Sequence, residues 1–139
     1  MIVSSSITIQ SKGFTDILDI TEQAQRIVAG SGVREGSVTV FVKGSTAGVS
    51  TIEFEPGLVA DLQQTFERLV PCNRTYEHDR RWGDGNGYSH VRATLMGPSL
   101  NIPLVGGQMA LGTWQQIEVV DFDNRPRRRE ILIQVIGEG

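Results

Sequence analysis

Hydrophobic and polar positions alternate over several short stretches of this chain, and at two places the alternation lengthens to a helical period. Residues 2–9 carry Ile7 and Ile9 in alternation and predict a strand, closed by a turn at Lys12-Gly13. Residues 14–20 can return as a second strand. Thr21 is a good N-cap for a helix running to Ala29, with Ala24, Ile27 and Val28 as its buried stripe and Gly30 as its stop. Residues 37–43 place Val38, Val40 and Val42 on one face of a strand, and residues 49–54 make another, ended by Pro56-Gly57. The clearest helix follows, with Leu58, Leu62, Phe66 and Leu69 at helical spacing and Pro71 closing it. Residues 71–87 read as a polar, glycine-rich loop. Four strands are expected beyond it, at 88–96, 99–105, 109–122 and 129–136, with Pro103 at an edge or bulge and turns at Gly106-Gly107 and at 124–126.

This pattern predicts an α+β fold: one domain of mixed or antiparallel β-sheets packed as a sandwich, with two helices inserted early. No repeat or linker interrupts the 139 residues, so a single domain spanning 1–139 is expected, long enough to bury a core without metal or disulfide staples. No apolar run approaches the length of about 20 residues that a membrane helix needs, so no membrane partner is expected. The N-terminus lacks a basic start and an apolar signal core and reads as part of the fold. The one cysteine, Cys72, precludes an internal disulfide and fits a reducing, cytoplasmic setting.

Charge changes the picture in one respect. The net charge of −3 argues against general capture of nucleic acid. Yet 11 of the 13 basic residues are Arg, and eight of these fall in two windows: Arg74, Arg80, Arg81 and Arg92, then Arg125, Arg127, Arg128 and Arg129. Arginine is the residue of bidentate phosphate and carboxylate recognition, although ordinary ion pairs explain it equally well. The second window reads as a turn or a subunit contact.

The first window interleaves with YEHDRRWGDGNGYSH at 76–90, which holds both histidines and the carboxylates Glu77, Asp79 and Asp84. Such a density of imidazole and carboxylate suits a divalent metal or an acid–base pair; the alternative is a solvated loop pinned by Trp82 and Tyr88. A strand over 88–96 would project His90 and Arg92 together and turn Val91, Ala93 and Leu95 to the core. The GSTAG turn at 44–48 offers two hydroxyls, Ser45 and Thr46, and unobstructed amides able to cradle an anion. Glu53 can serve as a ligand or base or simply face water. Trp114 and the neighbouring amides of Gln115 and Gln116 form an anchor or part of a pocket.

Together, GSTAGVSTIEFEPGLVADL, YEHDRRWGDGNGYSH, GPSLNIPLVGGQMALGTWQQ and NRPRRR resemble the YjbQ-like family, also called secondary thiamine-phosphate synthases, over nearly the whole chain. The likeness is to the branch with GSTAG and WGDGNG. It implies a homotrimeric α+β protein with sites near subunit boundaries. It also implies a transferase reaction in which a pyrimidine pyrophosphate joins a thiazole phosphate and pyrophosphate leaves. By motif, His78 and His90 match the family's two histidines, with Asp84 or Asn86 in the acidic stretch between them. Ser45 and Thr46 match its hydroxyl pair, Glu53 a polar strand position, and Trp114 and Gln115 its GTWQ motif. Many bacterial members carry a histidine where this chain has Gly44, so Glu53 or Asp84 would take its place.

The expectation is therefore an enzyme for a phosphorylated or pyrophosphorylated small molecule. His78, His90 and Asp84 would hold zinc or magnesium, and His78, His90, Asp84 and Glu53 would do the chemistry. Ser45, Thr46, Arg80, Arg81, Arg92, Asn86, Trp114 and Gln115 would bind the anionic substrate. A metal-dependent hydrolase of another anionic metabolite, or a non-enzymatic metabolite-binding trimer, are the alternatives.

Overall fold

A computed structural model describes residues 1–139. Eight strands and four helices follow in the order β1 (Ile2–Ser11), β2 (Asp16–Asp19), α1 (Thr21–Ser31), β3 (Glu35–Val42), β4 (Ala47–Ile52), α2 (Pro56–Leu69), α3 (Glu77–Trp82), α4 (Gly87–Met96), β5 (Ser99–Val105), β6 (Gln108–Met109), β7 (Gln116–Asp121) and β8 (Arg127–Glu138). The strands form a five-stranded sheet in the order β1-β8-β3-β5-β6 and a three-stranded sheet in the order β2-β7-β4. Every pairing is antiparallel, so the expected α+β class holds and the mixed-sheet option does not.

Alternation builds the larger sheet. Val38, Val40 and Val42 of β3 sit opposite Val135, Ile133 and Ile131 of β8, and all six are fully buried. Each such side chain removed from water contributes about 1.5–3 kcal/mol before conformational entropy is counted. Their partners across the core are Ala47 and Val49 of β4, Ile117 and Val119 of β7, and Ala24 and Val28 of α1. The other face of the small sheet is covered in turn. Ile17, Val120 and Phe122 pack against Ala93 and Met96 of α4 and against Leu62 and Phe66 of α2, with Phe66 and Phe122 edge to face at 4.7 Å. The layers are therefore large sheet, small sheet, helices.

Four local expectations give way. The helix at 21 starts behind Ile20, not Thr21; the Thr21 hydroxyl instead donates to Asp19 and accepts from the Ile117 amide. It continues through Gly30 to Ser31 and ends at Gly32, whose φ of 76° suits a residue without a Cβ. The stretch 109–122 divides into β6 and β7 around a turn at the GTWQ motif. Residues 71–87 are not all loop, because α3 occupies 77–82.

The largest departure is at 88–96, which is helical. Tyr88, Ser89, Arg92 and Ala93 are buried, at the i, i+1, i+4, i+5 spacing of a helix face. Val91 and Leu95, expected inward, are 40% and 65% exposed. The true period was hidden because one of its inward positions is an arginine. Helices thus number four rather than two.

Candidate functional site

Helices α3 and α4 and the loop between them bring the histidines together. Asp79 organises this loop: its carboxylate accepts from the amides of Tyr76 at 3.2 Å and Gly87 at 2.8 Å, so it caps α3 and pins the start of α4 at once. A Cβ on Gly87 would lie 2.9 Å from that carboxylate and 2.7 Å from Tyr76 Cβ, so only glycine permits the approach. His78 and His90 then face each other with ring centroids 4.4 Å apart.

His78 Nδ1 lies 3.5 Å from Asp84 Oδ1 and 3.8 Å from Asp79 Oδ1. It is buried and has no hydrogen-bond partner. Ligands about 2.1 Å from a tetrahedral cation stand about 3.4 Å from one another, so this spacing suits atoms awaiting a shared ion better than a direct hydrogen bond. One ligand atom each from His78, Asp79 and Asp84 falls within a mutual 4.8 Å. Asp79 is already engaged by two amides, whereas Asp84 is half exposed and its main chain is tied down by Asn124, which donates to the Asp84 carbonyl at 2.9 Å. Burial, and then the neighbouring His78, hold the His90 pKa below its ordinary value, which favours the neutral imidazole a ligand or base must present. The donor set therefore fits a divalent cation.

The GSTAG turn borders the same place. Gly44, Ser45, Ala47, His90, Ala93, Thr94 and Pro98 line a cleft of about 310 Å³, and Ser45 is exposed there. Thr46 is not available to substrate. It is buried, donates to Asp123 at 3.1 Å and accepts from Arg129. Gly44 has φ 144°, and a Cβ there would lie 2.6 Å from Arg129 Nη1. In this chain the Arg129 guanidinium fills the space that a histidine would need at 44.

The arginines part company. Arg92 is buried: it donates to the Val70 carbonyl at 2.7 Å, Thr15 Oγ1 at 2.8 Å and Glu67 at 2.7 Å, and it lies over the Tyr88 ring. On a helix, Arg92 cannot share a face with His90, and its donors are spent within the fold, so the anion-binding expectation fails for it. Arg92 also holds the Glu67 carboxyl below its usual pKa range. Cys72 is exposed beside them, and desolvation around its sulfur and the nearby Glu67 push its thiol up, which disfavours the thiolate. Arg80 and Arg81 stay on the surface of α3, Arg80 paired with Glu77 at 3.0 Å and Arg81 over Trp82.

Glu53, Trp114 and Gln115 do not join the histidines. Gln115 donates to Thr51 Oγ1 at 3.2 Å, at the end of β4 remote from the GSTAG turn, about 13 Å along the strand. Glu53 follows that end and is exposed, and Trp114 is 74% exposed. Within one chain these residues belong to a different locality.

Sequence reasoning counted Asp79 among the carboxylates of 76–90 without giving it a role, and it missed Asp121 and Asp123. Asp121 binds Arg129 through two hydrogen bonds of 2.7 and 2.8 Å, with both residues buried. Arg127 pairs with Asp123 at 3.1 Å. Burial opposes ionisation of Asp123, but hydrogen bonds from Asn86, the Asn124 amide and Thr46, with the Arg127 charge, outweigh it and hold its pKa low. The signal was present: VVDFDNRPRRR sets two carboxylates at i and i+2 beside alternating arginines, and inward acids need inward cations. The second arginine window thus serves the interior as well as a turn.

A small antiparallel α+β domain with a histidine–carboxylate cluster beside an open cleft is the class that fold and site define. Residues 5–138 match the model of the family described as UPF0047 protein YjbQ-like, and the chain belongs to that family. A UPF0047 protein of Archaeoglobus fulgidus is 37% identical over 130 residues, spanning 94% of this chain and 98% of that relative. YugU of Bacillus subtilis is 28% identical over 123 residues, spanning 88% and 90%. Among solved structures, a YbjQ-like protein of unknown function from Sulfolobus solfataricus superposes with a TM-score of 0.94 at 30% identity, covering 99% of both chains. Hypothetical protein APE1520 of Aeropyrum pernix gives 0.91 at 31%, covering 98% and 99%.

Proposed function

We propose that this chain is an enzyme acting on a phosphorylated or pyrophosphorylated small molecule, with a divalent cation at His78, His90 and Asp84. The carrying observation is His78 Nδ1, buried without a partner between two carboxylates and beside a second imidazole. A bound cation would supply positive charge to stabilise a departing phosphate or pyrophosphate. His90 lines the substrate cleft and is kept neutral, so its one unprotonated nitrogen either binds the cation or, left free of it, accepts a proton there. Ser45 offers a hydroxyl at the cleft, and Arg80 and Arg81 stand on the surface of the same short helix as His78.

The finer reading is a transferase of the secondary thiamine-phosphate synthase kind, joining a pyrimidine pyrophosphate to a thiazole phosphate. It rests on the motifs Ser45-Thr46, His78 to His90 and Trp114-Gln115. The separation of Trp114 and Gln115 from the histidines within one chain fits a homotrimer with sites at subunit boundaries, where one copy's GTWQ turn could complete another's cleft. The setting we assign is cytoplasmic; no helix is long and apolar enough to cross a membrane. A second reading, hydrolysis of another anionic metabolite, is favoured by the open cleft and the half-exposed Asp84, which admit water.

Elemental analysis of untreated protein, paired with turnover assays, tests this. Zinc, magnesium or another divalent metal is expected near one per chain, and His90→Ala should lose both metal and turnover. Full activity in His90→Ala would remove the role given to it. Phosphate release without condensation would select the hydrolase, and tight ligand binding with no product would leave a binding trimer.

A further inference from the structure

Asp123 lies just past β7, is buried, and is where three distant segments meet its own turn. Its Oδ1 accepts from Asn86 Nδ2 at 3.2 Å and from the Asn124 amide at 2.8 Å. Its Oδ2 accepts from Thr46 at 3.1 Å and faces Arg127 Nε at 3.1 Å. Its carbonyl accepts from the Phe14 amide at 2.7 Å. The main chain is thus fixed by the turn after β1 and the carboxylate by the GSTAG turn and the arginine run, and one carboxylate oxygen faces the loop that carries Asp84.

An ionised carboxylate only accepts hydrogen bonds, so it selects which end of the Asn86 amide faces it: the nitrogen. The Asn86 oxygen is thereby turned elsewhere, and it is buried with no donor. Two residues before it, Asp84 approaches His78 Nδ1, the other buried atom of this region that lacks a partner. The Asn86 oxygen presents a lone pair, and so does His78 Nδ1 when the ring proton sits on Nε2, so these two buried atoms, in a loop and the helix it follows, suit a cation.

We propose that Asn86 Oδ1 is a neutral oxygen ligand of the cation held at His78 and Asp84, and that Asp123 is the positioning residue that orients this amide. The proposal rests on the cation reading above. It differs from the anion-binding role expected of Asn86: one amide proton is given to Asp123, and the oxygen turned away from that carboxylate can only accept. It also ties the second arginine window to the site, since Arg127 and Arg129 hold the acidic pair from which this orientation is built.

Metal-free protein titrated with Mn²⁺, read by calorimetry and by paramagnetic broadening of the Asn86 side-chain amide resonances, tests the proposal. The intact protein should bind Mn²⁺ and broaden those resonances. Asn86→Ala and Asp123→Ala should each weaken Mn²⁺ binding by about 10–100-fold. Asp123→Asn retains an oxygen that can accept from Asn86 and should recover most of that loss. If Asp123→Ala fails to fold, Asn86→Ala and Asp123→Asn carry the test, with metal-free melting temperatures measured alongside. Undiminished Mn²⁺ binding in Asn86→Ala, or equal loss in both Asp123 variants, would overturn this inference and leave the cation reading standing. No uptake of Mn²⁺ or Zn²⁺ by the intact protein would overturn the cation reading, and this proposal with it.

Discussion

At the scale of single residues, the interior tolerates charge only where partners meet it. Asp121, Asp123, Arg92 and Arg129 are all buried, and each finds hydrogen-bonding groups of the opposite kind. Glu118 is the exception. It is 3% exposed, its Oε2 has no partner, and its strand neighbours across β7 are Asp19 and Ser50. The Asp19 carboxylate is engaged by Thr21 and brings no positive charge. Burial pushes the Glu118 pKa up to about 7. Between the ordinary value of 4.5 and about 7, the folded state keeps a proton that the unfolded state has released. Stability from this group is therefore lost as pH rises through that window, by at most about 3 kcal/mol. Denaturant melts at pH 5 and pH 8 should show Glu118→Gln gaining on the native protein at the higher pH. The difference between the two proteins removes the histidine contribution, and equal slopes would refute the assignment.

Among the elements, α4 decides most. It carries His90 to the cleft and Arg92 into the layer between helices and small sheet, on opposite sides of one helix. Arg92→Met keeps the apolar volume but orphans the Val70 carbonyl and the Thr15 hydroxyl. Glu67 is half exposed and can turn to water. A loss of about 2–4 kcal/mol is expected, read from the unfolding midpoint. A loss below about 0.5 kcal/mol would mean that the guanidinium is replaceable packing. The same helix shows why part of the site was illegible. Tyr88, Arg92 and Ala93 carry the helical period, but an inward arginine looks like an outward one until its acceptors are known. Those acceptors, Val70, Thr15 and Glu67, lie 20 or more residues away. By contrast, β3 and β8 were legible because their inward positions are uninterrupted Val and Ile.

For the whole molecule, the large sheet has a covered face and an open one. Phe41, Leu132 and Ile136 stand on the open face, between 37% and 44% exposed, beside a shallow groove shared with Ser4, Thr39 and Gln134. An apolar patch on a flat sheet face is a natural surface for another copy of the chain. Under the trimer reading, Phe41→Asp with Leu132→Lys should shift the mass measured by light scattering from three chains toward one. An unchanged trimer would place the subunit contact elsewhere.

The sequence by itself determined the α+β class, the alternating strands and the stretch from His78 to His90, because these follow from local spacing and composition. Tertiary structure alone decided that 88–96 is a helix and that Thr46 and Arg92 face inward. It also decided that Glu53, Trp114 and Gln115 lie away from the histidines, and that Asp123 gathers the motifs. Each of these depends on which distant group satisfies a buried charge or hydrogen bond, and spacing along a chain does not encode distance across it. The arginine windows show the difference: the sequence marked them, and the fold assigned Arg127 and Arg129 to buried carboxylates, Arg92 to a helix seam, and Arg80 and Arg81 to the surface near the histidines.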